Sequence, residues 1–131
     1  MSRLVLLVAL AALVPAAALA APASVPVTAT IQAKPHPQAY CEECIRFSGR
    51  VSSPKAVCRA KRMLESATTY KAGSPSAGKV YRDPHFISIN SQGKWDVVIG
   101  SGEPLAWFEV IVPKQRIGGV VCQAARARVT F

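Results

Sequence analysis

The chain of 131 residues has room for one domain, which excludes a multidomain architecture. Its 16 Lys+Arg against 7 Asp+Glu give a net charge of +9. A balance that basic favours solubility and points to anionic partners, whether lipid head groups, acidic wall polymers, acidic polysaccharide or nucleic acid.

Residues 1–20 carry one early charge, Arg3, then an apolar run from Leu4 to Val14, then Pro15 and small residues ending in Ala18-Leu19-Ala20. A short basic start, an apolar middle and an A-x-A end are the marks of a cleaved signal peptide. The rival reading is an uncleaved anchor, which Pro15 and the alanine-rich end disfavour. No Cys directly follows the apolar run, so lipoprotein anchoring is excluded. Loss of Arg3 with the leader takes the 16 Lys+Arg to 15 against 7 Asp+Glu, a net charge of +8. The expected location is outside the cytoplasm, secreted or in the cell envelope, with membrane contact only through the transient leader. Four cysteines in a short exported chain imply two disulfides, for which three connectivities exist.

Residues 21–39 contain Pro22, Pro26, Pro35 and Pro37 among Ala, Thr and Val, and read as a flexible Pro/Ala-rich linker ahead of a domain at 40–131. Ile45, Phe47, Gly49 and Val51 alternate with Arg46, Ser48 and Arg50, which predicts a first strand. After Pro54 a second extended stretch is expected over 57–70, with a helix over 55–67 as its alternative. The Gly, Ser and Pro content of 71–79 predicts a loop, and 80–82 a short strand. Residues 86–99 read as a hairpin closed by Asn90-Ser91-Gln92-Gly93, with Trp95, Val97 and Ile99 on one face and Lys94 and Asp96 on the other. Residues 107–112 are large on both faces, as in a central strand. Two closing strands follow, 120–122 and 127–131, the latter with Ala127, Val129 and Phe131 inward and Arg126, Arg128 and Thr130 outward.

Pro54, Pro75, Pro84, Pro104 and Pro113 all fall between the predicted strands, as ladders that need every N–H require. About seven short strands with turn signals between them predict an all-β, antiparallel two-sheet sandwich, immunoglobulin-like or transthyretin-like and stapled by disulfides. From Ile45 to Phe131 the spacing of Phe47-Ser48-Gly49-Arg50-Val51, Cys58, Arg62, Asn90 to Trp95, Trp107-Phe108 and Val121-Cys122-Gln123-Ala124-Ala125 resembles small secreted bacterial β-sandwich domains. These are similar in outline to transthyretin-like and carboxypeptidase-regulatory-like modules, whose turn often begins with Asp where this chain has Asn90. The resemblance implies a non-catalytic module and a Cys58–Cys122 bridge, and it leaves Cys41 and Cys44 unassigned.

Cys41-Glu42-Glu43-Cys44 is a CxxC, yet two adjacent carboxylates raise a thiol pKa, the wrong direction for a nucleophile, so a structural disulfide is expected. The alternative function is a small metal-binding or thiol-active protein using Cys41, Cys44 and His36, with His85 or Glu43 as further ligands. No G-x-S-x-G serine, phosphate loop or acid pair is present, and Asp83, Asp96, Glu103 and Glu109 fall on separate elements. No catalysis and no cofactor are expected.

Between Glu43 and Glu65 the charged residues are Arg46, Arg50, Lys55, Arg59, Lys61 and Arg62, all basic. If the first two strands pair, Arg46, Arg50, Arg59 and Lys61 form a stripe suited to an anionic cell-envelope polymer. The plainer reading is a charged face that keeps an edge strand from aggregating. Nucleic acid fits less well, because no aromatic residues interleave with the basic ones. The expectation is therefore a secreted binding or structural module whose partner is an anionic polymer or another protein.

Overall fold

The computed structural model describes residues 21–60 and 62–131; the expected leader at 1–20 and Lys61 lie outside them. The expected linker is instead three strands, β1 (Ala23–Val25), β2 (Thr28–Ala29) and β3 (Gln32–Pro35). The reason is a period of two: Val25, Val27, Ala29, Ile31 and Ala33 turn toward the core while Thr28, Gln32 and Lys34 face solvent. Pro26 falls between strands and Pro35 ends one, so neither interrupts a ladder.

β4 (Ile45–Ser52) is the predicted first strand, and β2 and β3 pair antiparallel along one side of it. The break between those two lies opposite Gly49, where a Cβ would sit 1.9 Å from the Thr30 carbonyl oxygen. Only glycine permits that approach. Thr30 closes the gap by donating its N–H to Arg50 O at 2.9 Å and accepting the Arg50 N–H on Oγ1 at 3.0 Å.

The second expected strand starts late. Ala56–Cys58 forms a 3-10 turn, and β5 runs only over Met63–Tyr70. β6 (Tyr81–Ser88) extends well past the predicted 80–82 and contains Pro84. It tolerates the proline because it ends its sheet and its register with β5 shifts there, from Leu64↔Ile87 to Ser66↔Asp83.

The predicted hairpin over 86–99 is corrected in its pairing. Its turn forms, with Asn90 Oδ1 accepting the N–H groups of Gln92 at 2.9 Å and Lys94 at 3.0 Å, and with Gly93 at φ 79°. The two arms nevertheless part, because β6 pairs with β5 while β7 (Lys94–Ile99) pairs with β4. β4 captures the turn itself through a Val51 N–H to Gly93 O bond of 2.8 Å.

β8 (Leu105–Val112) is central as expected, flanked antiparallel by β5 and by β11 (Ala125–Thr130). β9 (Gln115–Ile117) and β10 (Val120–Cys122) form a small sheet to which β1 adds in parallel. The chain is therefore all-β, with β11-β8-β5-β6, a group built on β4, and β1-β10-β9. Phe47 of β4 stacks on Phe108 of β8 with ring centroids 4.1 Å apart, and Val51, Leu64, Val110 and Val112 are fully buried around them.

Both disulfides are present. Cys58–Cys122, the pairing the resemblance implied, joins the 3-10 turn to β10 inside the core. Cys41–Cys44 closes a turn that packs on the end of β7, where a Cβ at Gly100 would lie 2.5 Å from Cys41 Sγ.

Candidate functional site

Alternation along β3, β4 and β7 puts one row of side chains from each onto a common outward face. The register sets Lys34 opposite Arg46, Ser48 opposite Asp96 and Arg50 opposite Lys94. Two like-charged pairs thus stand directly across neighbouring strands, an arrangement that destabilises a sheet left to itself. Among the described residues one ion pair lies on this face, Arg46 Nε to Asp96 Oδ2 at 3.8 Å, which joins two well-exposed side chains and contributes little. Lys34, Arg50 and Lys94 have no acidic partner among the described residues. Beside them runs a groove of about 680 Å³ lined by Gln32, Ser48, Arg50, Asn90, Lys94 and Trp95 among others.

The expected stripe is therefore redrawn. Arg46 and Arg50 share the face, but β4 and β5 do not pair, since the partners of β5 are β6 and β8. Arg59 lies after the 3-10 turn and donates from Nη1 to Ser53 O at 2.9 Å, while Lys61 is outside the described residues. Lys34 and Lys94 take their places. Lys94 was legible as an outward residue of its strand; Lys34 was hidden inside the supposed linker.

The alternative site loses its thiols, because Cys41 and Cys44 are bonded to each other. The His36 backbone N–H donates to Cys44 O at 2.8 Å, and among the described residues no group of three His, Cys, Asp or Glu is placed to hold a metal ion. The carboxylates are engaged separately. Glu109, buried on β8, accepts Arg128 Nε at 3.1 Å and faces Arg126 Nη1 at 3.5 Å, with the Arg128 guanidinium 3.8 Å above the Trp107 ring. Glu103 accepts the Ser76 N–H and hydroxyl, each at 2.9 Å.

Two disulfides suit an oxidising environment, and among the described residues no helix is long and apolar enough to cross a membrane. No family model, curated protein or solved structure matches the chain, so the transthyretin-like likeness gains no support from these comparisons.

Proposed function

We propose that the protein is a secreted, non-catalytic β-sandwich module that holds an anionic polymer of the cell envelope or extracellular space against the outward face of β3, β4 and β7. The observation that carries this reading is the pair of uncompensated cross-strand contacts, Lys34 with Arg46 and Arg50 with Lys94. A bound polyanion supplies the charge that relieves both repulsions, so affinity and local stability rise together. Ser48, Gln32 and Asn90 in the adjoining groove add neutral hydrogen-bonding groups for the hydroxyls or amides of such a polymer. The sandwich arrangement is supported by the Phe47–Phe108 stack, which packs the β4 group on the β8 sheet. Export is supported by the Ala18-Leu19-Ala20 site and by the disulfides.

The test uses mature protein recovered from medium or envelope, with an N-terminus at or near Ala21 by mass spectrometry. On a polyanion column, replacing Lys34, Arg46, Arg50 and Lys94 by Gln is expected to move elution to markedly lower salt, with a melting temperature that rises slightly as the two cross-strand repulsions are removed. A control replaces the exposed Lys55, Lys71, Lys79 and Lys114 by Gln, for the same loss of charge. An equal shift in both variants leaves only net charge at work and overturns the proposed face.

A further inference from the structure

After β3 the chain makes a tight turn that is closed twice over. Gln38 and Cys41 exchange backbone N–H to O bonds of 2.9 and 3.0 Å, and the Cys41–Cys44 disulfide packs the turn against Gly100 at the end of β7. Tyr40 sits at the tip of this turn and is 86 % exposed. A lone exposed aromatic is ordinary on a protein surface. One carried on a crosslinked backbone is a ready contact platform, because a ring with two side-chain torsions offers a large area and loses little entropy when it binds.

The turn adjoins the basic face. A depression of about 460 Å³ is lined by Tyr40, Gln38, Glu43, Gly100 and Val98 among others. Val98 stands opposite Arg46, which in turn stands opposite Lys34, so the depression meets the first cationic pair. The second pair, Arg50 with Lys94, lies four residues further along β4, about 13 Å away at the rise of a strand. Between the two pairs Gln32, Ser48 and Asp96 stand in register across three strands. Cations are therefore spaced, and the interval holds groups that bond hydroxyls. A polymer charged on every unit meets Asp96 and Glu43 as repulsions. One whose charged units alternate with neutral, hydroxyl-bearing ones meets them as strong hydrogen-bond acceptors.

Resting on the reading of the β3-β4-β7 face as an anion site, we infer that the polymer is an acidic polysaccharide with charged sugars separated by neutral ones, and that Tyr40 stacks on one of its rings. Its carboxylates pair with the two cationic sets, and a neutral sugar between them bonds to Gln32, Ser48 and Asp96. The Cys41–Cys44 bridge holds the stacking ring at the end of that path. Nucleic acid fits less well, since it is charged at every unit and one ring cannot stack successive bases.

The probes are a hyaluronate oligosaccharide, with one carboxylate per disaccharide, inorganic polyphosphate and oligothymidylate, matched in total charge and titrated calorimetrically into the mature oxidised protein. Tyr40→Ala is expected to weaken hyaluronate about tenfold with an unchanged salt dependence, because stacking releases no counterions, and to leave the other two probes within about twofold. Tyr40→Phe keeps the ring and should keep the affinity. Cys41→Ser with Cys44→Ser frees the turn and should weaken hyaluronate alone, by about threefold. Full hyaluronate affinity in Tyr40→Ala, a matching loss for polyphosphate or oligothymidylate, or a wild type that binds polyphosphate and not hyaluronate overturns the inference while the charged face stands. Failure of the face reads differently: no probe binds the wild type, or the Lys34, Arg46, Arg50 and Lys94 variant binds every probe as the wild type does, and both readings fall.

Discussion

Replacing Cys58 and Cys122 together by Ala is expected to lower the melting temperature by about 15 °C or more. The bridge spans a sequence separation of 64, and closing so long a loop removes about 4 kcal/mol of unfolded-state entropy. Its native position adds to the effect, because both cysteines are fully buried and β10 is otherwise held by three-residue ladders to β1 and β9. The contrast is Cys41→Ser with Cys44→Ser, whose bridge spans a separation of only 3 and should cost about half as much or less. Thermal denaturation followed by circular dichroism separates the two. Equal losses would refute the ranking.

The second large effect is expected at Phe47. Its ring is fully buried, stacks on Phe108 and meets Phe131 edge-on at a centroid distance of 6.0 Å, so one side chain joins β4, β8 and the C-terminal residue. Phe47→Ala removes that contact and opens a void the flanking strands cannot close without breaking ladders, at a cost of about 4 kcal/mol. Phe47→Leu keeps most of the volume and should cost about 1.5 kcal/mol. Urea unfolding with an unchanged dependence on denaturant checks both values. A loss below about 1 kcal/mol for the alanine variant would mean the core repacks freely.

Strand faces were readable from residue order wherever alternation was unbroken, as in Phe47 to Val51 and Lys94 to Ile99. The same alternation runs from Val25 to Ala33, but Pro26, the flanking prolines and the small residues match a linker by composition. Pairing was less legible than facing. Asn90 to Gly93 announces a turn, but whether the arms close on each other or part into two sheets depends on what lies across from them, and β4 is remote in sequence. The same gap misled the basic stripe, since joining Arg46 and Arg50 to Arg59 and Lys61 presupposed a pairing of β4 with β5. Arg62, which is buried, had no local mark at all. A charged residue in a run of charged residues is exposed by default, and its burial follows from where the Pro113 carbonyl comes to rest.

The spacing of the four cysteines also sets an order of events during synthesis. As the chain emerges from its N-terminal end, Cys41, Cys44 and Cys58 are all available long before Cys122, and in that interval Cys58 has only wrong partners. The short bridge is expected to form first, because its two thiols lie only 3 residues apart in sequence. Once closed, it takes both competitors away and leaves Cys58 unpaired until β10 arrives to complete the sheet that β1 began. The bridge that adds least to the finished fold is thus expected to edit the other one. Cys41→Ser alone should then release Cys44 as a rival, and peptide mapping of that variant should find a Cys44–Cys58 link that the double variant, Cys41→Ser with Cys44→Ser, lacks.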